Sequence, residues 1–268
     1  MSTIVECPPG RVCSAFGVDE GELEPFCGLG WRTGKLTLLP VTDSEQALWL
    51  AKSLDDVSLP DLRIARPARA TDGRQVVGGW MALRALDGEP AGTEASTVDD
   101  LVLVSVKLHQ ALEHLPRPHF ISKRDDVLAR ADRMAWGEDE VDLDDSSCTR
   151  WFDLLLGAAK PVLLKDQVVH ASLYRSVLFY TDAAPAVVDF RPFFRPPEWS
   201  AALVVVDAIA DGTADIDVME RWEHIPAWRQ MLLRAVLFRL AAGALDPGAD
   251  EQTLEKLRHA ASTVSRYV

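Results

Sequence analysis

Apolar positions change their rhythm partway along the chain. As far as Leu83 they come in short alternating runs cut by glycine, and from Thr97 onward they recur at three- and four-residue intervals. That change predicts a β-rich first part and a helical second part. In the first part Glu24–Cys27, Trp31-Arg32 and Lys35–Val41 read as three strands joined at Gly28-Leu29-Gly30 and Thr33-Gly34, the marks of an antiparallel sheet. A helix follows, with Asp43 as its N-cap, Gln46 at capping-box spacing, and Ala47, Leu48, Leu50, Ala51 and Leu54 on its apolar face. Leu62–Ala70 and Gln75–Leu83, joined through Thr71–Arg74, read as a β-hairpin. Residues 1–22 form a lead-in broken by Pro8-Pro9-Gly10, with a short helix over Val12–Val18. Leu86–Gly92 gathers Gly and Pro where periodicity stops, which marks a linker.

In the second part Thr97 or Asp99 caps a helix carrying Leu101, Val104, Leu108, Ala111 and Leu112. His109 and His114 lie five positions apart on it, which splays them around the axis, so they are no metal pair and His109 reads as a core or loop-bracing residue. A basic helix over Arg124–Trp136 precedes Glu138–Asp145, six acids in eight positions. That run reads as a solvated loop, with a patch for a metal or a cationic partner as the sharper alternative. Cys148–Ala159 is a buried helix, and Pro161–Val169 a strand that delivers the chain to His170. After Asp189 and the proline-aromatic stretch Arg191–Trp199, helices are expected over Trp199–Ala210, Ile216–His224, Ala227–Ala244 and Glu251–Ser265.

Charge narrows the function classes. With 28 basic and 41 acidic residues the net charge is −13 over 268 residues. Such a surface argues against sequence-independent nucleic-acid binding and against anionic membranes. Cys7, Cys13, Cys27 and Cys148 show neither metal-site nor disulfide-framework spacing. The start Met1–Glu6 has no basic and apolar leader pattern, and Ala201–Ala210 is too short to span a bilayer, so a cytoplasmic protein is expected.

One segment carries chemistry. His170-Ala171-Ser172-Leu173, then Ser176-Val177-Leu178-Phe179, then Pro185–Val188 closing on Asp189 resembles the catalytic segment of the aminoglycoside phosphotransferase and choline kinase branch of the protein-kinase-like fold. There the pattern reads His-Gly-Asp-Leu, a few residues, Asn-Val-Leu-Phe, and a strand ending in Asp. Gly30-Trp31-Arg32, Ala131-Asp132-Arg133-x-Ala135-Trp136 and Phe193–Trp199 carry a resemblance to an actinobacterial-type subgroup of that family. The resemblance implies an α+β, two-lobe protein-kinase-like fold: a small antiparallel β lobe with one helix over residues 1–86, a hinge at 87–92, and a mainly helical lobe over 93–268 that carries the loop 168–190.

It also implies roles. His170 braces the loop, Ser172 occupies the position of the catalytic aspartate, Ser176 that of a metal-binding asparagine, and Asp189 that of the metal-binding aspartate. The strand lysine that pairs with nucleotide phosphates falls at Leu39, and Lys35 lies ~13 Å from that position along a strand. Gly28, Gly30 and Lys35 fit either a nucleotide flap or a plain hairpin turn, since Leu36 breaks the Walker A pattern. Arg175, Arg191 and Arg195 suit a basic rim for a phosphate or an acidic peptide, or else a set of surface-paired arginines. Two functional readings follow. One is a degenerate kinase that binds a protein or peptide partner. The other is an ATP- and Mg²⁺-dependent phosphotransferase acting on a small molecule or a peptide Ser/Thr hydroxyl, within a peptide-modifying complex.

Overall fold

The structure is a computed structural model that describes residues 5–55, 57, 59–91, 95–140 and 147–268. Most of the acidic run, 141–145, therefore lies outside the described residues, as does the end of the linker at Gly92. The chain divides into two compact units, one holding the described residues through Ala91 together with Arg175–Phe190, the other those from Ala95 to Tyr174 and from Arg191 to Val268.

The first unit opens with helix α1 (Gly10–Phe16), stopped by Gly17 in the left-handed region at φ 66°. Strands β1 (Glu24–Phe26), β2 (Gly30–Arg32) and β3 (Leu36–Pro40) follow, then helix α2 (Ser44–Ser53). Asp43 caps α2 by accepting from the Glu45 and Gln46 amides at 2.8 and 3.2 Å. The short strands β4 (Arg63–Ile64), β5 (Pro67–Ala68), β6 (Val76–Val77), β7 (Trp80–Arg84) and β8 (Glu89–Pro90) complete this part. The main sheet runs β1-β2-β3-β7-β5, with β6 on β7, and β3 pairs with β7 in the register Leu39↔Met81.

The sheet departs from the sequence pattern in two places. Gln75–Leu83 is not one strand, because Gly78 and Gly79, at φ 58° and 81°, reverse the chain between β6 and β7. Two consecutive positive φ angles are what a two-residue hairpin turn needs, and only glycine adopts both without strain. The chain does turn at Thr71–Arg74, where the Ala70 amide donates to the Arg74 carbonyl at 2.8 Å. The expected linker contains β8, so Glu89 and Pro90 are sheet residues.

In the second unit α3 (Ala95–Leu112) begins before Thr97 and Asp99, so neither is its N-cap. Helices α4 (Val127–Ala135) and α5 (Ser147–Leu156) come next, then strand β9 (Gln167–His170), which is shorter than the expected Pro161–Val169. Strands β10 (Val177–Tyr180) and β11 (Ala183–Val187) belong again to the first unit, where they build a second sheet in the order β4-β11-β10-β8. There β4 lies parallel to β11, and the Arg63 guanidinium donates to the Ala184 carbonyl at 2.8 Å. Strand β12 (Pro192–Arg195) pairs with β9, and helices α6 (Pro197–Ala210), α7 (Ile216–Arg221), α8 (Trp228–Leu245) and α9 (Glu251–Ser265) complete the helical unit.

The helical core centres on α6 and α8, whose inward residues are almost wholly withdrawn from solvent. Trp199, Phe193 and Phe238 pack edge to face with ring centroids 5.2 to 6.0 Å apart, and Trp136 joins Trp199 at 6.3 Å. Such pairs add roughly 0.5–1.5 kcal/mol each beyond area burial. The Ala131–Trp136 and Phe193–Trp199 motifs thus meet as one core element.

Candidate functional site

β9 carries the chain inward to His170, which is fully buried. Its amide donates to His109 Nε2 at 3.0 Å, its Nδ1 accepts from the Ser172 amide at 3.1 Å, and its carbonyl accepts from the Ser200 hydroxyl at 2.6 Å. Ser105 Oγ lies 3.2 Å from His109 Nδ1 and 3.4 Å from Ser200 Oγ, closing a network of α3, β9 and α6. Burial pushes His109 down to about 3, helped by the neighbouring His170, so its ring is a neutral acceptor.

The turn after His170 is held from two further sides. The Ala171 amide donates to the Arg191 carbonyl at 3.1 Å, and its own carbonyl accepts from Arg239 at 3.0 Å. Arg239 is fixed in turn by a two-pronged pair with Asp207, both contacts at 2.6 Å. Ser172, half-buried, therefore sits on a backbone fixed by five named residues, yet it presents a hydroxyl and no carboxylate.

In the first unit the β10–β11 hairpin positions Ser176 and Asp189. Ser176 is buried, and its carbonyl accepts from the Val188 amide at 2.9 Å. Asp189 follows β11 and is half-buried. It lines a narrow cleft of about 20 Å³ with Leu39, Leu50, Leu54, Leu83 and Met81, and among the described lining residues it is the one ionisable group. Leu39, only 7% exposed, packs with Ala47, Ala65, Met81 and Leu83, so the lysine position of the resemblance is built into an apolar core. α2 and its C-cap offer this cleft Leu50 and Leu54 and no carboxylate. Kinase-type transfer needs a strand lysine paired with a helix glutamate, together with a metal-binding aspartate. Of those groups the cleft holds the aspartate alone, so its residues do not fit a metal-bound nucleoside triphosphate in the usual way.

The glycines have local reasons. Gly28, at φ 67°, continues a turn in which Cys27 is already at φ 50°. A Cβ at Gly30 would collide with the Leu38 carbonyl, which makes Gly30 a condition for β2 and β3 to pair closely. Lys35 is exposed in the β2–β3 turn, its amide donating to Thr33 Oγ1 at 3.2 Å.

The basic rim requires a correction. Arg175 and Arg191 are exposed, but Arg195 turns inward, 8% exposed. Its guanidinium donates to both Asp132 oxygens at 2.8–3.2 Å and to both Glu138 oxygens at 2.6 and 2.8 Å, and it stacks over Trp136 at 4.8 Å. Burial works against the Arg195 charge, but the hydrogen bonds that Arg195 donates to Glu138 and Asp132 overcome it and raise its pKa. Burial likewise holds the Asp132 carboxyl above the usual range, whereas Glu138, more exposed, is drawn below it by its bonds to Arg195. An arginine saturated by two carboxylates has nothing left for a partner. Proline and aromatic neighbours on both sides of Arg195 are the sequence sign of that burial. Among the described residues no group of three or more His, Cys, Asp or Glu is placed to hold a metal ion, and no helix is long and apolar enough to cross a membrane.

No family model and no curated protein matches the sequence. Solved structures do. An aminoglycoside phosphotransferase from Alicyclobacillus acidocaldarius matches with a TM-score of 0.58 and 16% identity, covering 98% of this chain and 95% of that one. A spectinomycin phosphotransferase solved with AMP matches with a TM-score of 0.59 and 12% identity, covering 96% of each chain. An amicoumacin kinase solved with AMP-PNP, Ca²⁺ and amicoumacin matches with a TM-score of 0.64 and 12% identity, covering 97% of this chain and 92% of that one. The chain has the protein-kinase-like fold of the aminoglycoside phosphotransferases, with a β-rich region and a larger helical region.

Proposed function

We propose that this chain is a degenerate kinase-fold protein that keeps the frame of a phosphotransferase and works by binding a protein or peptide partner, not by efficient phosphoryl transfer. The observation that carries this reading is Leu39 packed against Met81 and Leu83 in the cleft that Asp189 lines. A phosphate would meet hydrocarbon there. Ser172 adds a second loss, since it cannot accept a proton as a carboxylate does. Loss of general-base help costs ~10²–10⁴ in rate, and removal of one electrostatic stabiliser costs ~10²–10³. Together the two losses outweigh what Asp189 alone retains. What persists is the scaffold around His170, whose hydrogen bonds fix the turn whether or not chemistry follows. Arg191, exposed on the helical unit beside the His170 turn, supplies positive charge in a chain of net charge −13, which suits an acidic peptide.

A second reading, an ATP-dependent phosphotransferase on a small molecule or a peptide hydroxyl, is favoured by similar folds solved with AMP or with AMP-PNP and Ca²⁺. Thermal unfolding with and without ATP and Mg²⁺ separates the two. A ligand at a hundred times its Kd adds ~2.7 kcal/mol and shifts the midpoint upward. The binding-protein reading expects no shift at millimolar ATP. A saturable shift that Asp189→Ala abolishes would replace it with the enzyme reading.

A further inference from the structure

We propose that the helical unit carries a separate ligand site, a cavity walled by α3, α6 and the α7–α8 connection, which takes a small organic cation with an aromatic or aliphatic body. The cavity encloses about 600 Å³, within the range typical of small-molecule pockets. It is built from the helical unit alone and uses neither Ser172 nor Asp189, so it does not rest on the functional reading above.

Its walls set the shape of the occupant. On α3 the residues Leu101, Val104, Leu108 and Leu112 face the core and are buried, whereas Leu103 and Val106 are 46% and 37% exposed and line the cavity. Opposite lie Ile225, Pro226 and Trp222. The Trp222 ring is held by its Nε1–H, which donates to Asp99 at 2.7 Å, and it lies 5.5 Å from the His224 ring. Apolar walls with one fixed aromatic plane suit a compact hydrophobic body and favour a cation over the ring face.

The charge at the site sets its sign. Glu198, in the first turn of α6, lines the cavity half-buried, and its carboxylate has no hydrogen-bond or ion-pair partner among the described residues. The other charged lining groups, Glu113 and Lys165, neutralise each other at 2.9 Å, and His109 is neutral. Glu198 is left as the one uncompensated charge of the lining, an acceptor in need of a donor. An ammonium group supplies both the hydrogen bond and the opposite charge. The rear of the cavity is Gln167, whose amide donates to the His109 carbonyl at 2.7 Å. An occupant therefore borders His109, whose Nε2 accepts from the His170 amide.

Dansylcadaverine, an apolar ring system bearing a primary amine, and its carboxylate counterpart dansyl-6-aminohexanoate test the site on the full-length chain. The amine probe is expected to bind saturably with enhanced fluorescence, at least about tenfold more tightly than the carboxylate, the range of a charge-assisted hydrogen bond. Glu198→Gln should weaken the amine probe by a similar factor and leave the carboxylate probe no weaker. Val106→Trp and Leu103→Trp, each filling the cavity from a partly exposed position, should abolish binding while thermal melting stays cooperative. Asp189→Ala should bind the probe as the wild type does. Absence of saturable binding, equal affinity for both probes, or wild-type affinity in both cavity-filling variants would overturn the proposal.

Discussion

At the scale of single residues, the most consequential side chain outside the His170 turn is Arg195. The sequence placed it beside Arg175 and Arg191 as one of three arginines near a loop, and spacing alone makes the three equivalent. Burial separates them, because β12 pairs with β9 and turns the Arg195 side chain toward α4, where Asp132 waits. Removing one partner of a buried pair costs roughly 3–5 kcal/mol, since the other charge stays desolvated. Arg195→Met should therefore lower urea stability by about that amount. A loss of no more than about 0.5 kcal/mol, the usual effect of a surface substitution, would show that the Asp132–Arg195–Glu138 cluster contributes nothing specific. His109 was legible as a bracing residue from its place on an apolar helix face. Ser200, linked to His109 through Ser105, was not, since a lone serine in an apolar helix carries no signal until the fold brings it to the His170 carbonyl.

Helices were legible at the scale of elements, because each carries its own periodicity and stop signals. Expected and observed boundaries of α6, α8 and α9 differ by two residues or fewer. The strands were less so. Pairing of β4 with β11 joins residues more than a hundred positions apart, and two-residue strands such as β4 and β8 are too short to show alternation. Glycine misled in both directions: Gly78-Gly79 was passed over as strand interior although it is a turn, and Gly88 helped to mark a linker where β8 pairs with β10. The glycines of the β1–β3 ribbon can be tested directly. Gly30→Ala drives a methyl group against the Leu38 carbonyl and should cost about 1–3 kcal/mol. Gly34→Ala meets no atom within 4 Å and should stay within about 0.5 kcal/mol or stabilise slightly. Equilibrium unfolding without nucleotide checks both, and a neutral Gly30→Ala would return Gly30 to the flap reading.

For the whole molecule, two effects of acidification oppose each other, and their sizes decide the outcome. The net charge of −13 means that lowering pH relieves self-repulsion, which favours the compact state. His109 pulls the other way. Its folded pKa of about 3 lies far below the ordinary 6.5, so between these values the unfolded chain takes up a proton that the folded chain refuses. Stability from this group is complete above about pH 7 and is lost as pH falls through 6.5, at about 1.4 kcal/mol per unit. Between about pH 7.5 and about pH 5 the loss amounts to about 2 kcal/mol. Over that window carboxylates such as Glu138, drawn below their usual range, remain ionised, so the relief of repulsion is small and the His109 effect should dominate. Urea unfolding at the two pH values and constant ionic strength should therefore show a less stable protein at the lower one. His109→Gln keeps an acceptor for the His170 amide but does not titrate, so it should remove about 2 kcal/mol of the difference and leave only the opposing charge effect. A His109→Gln variant that loses as much stability on acidification as the wild type would place the proton elsewhere, and the neutral, buried His109 would no longer explain how the His170 turn is held.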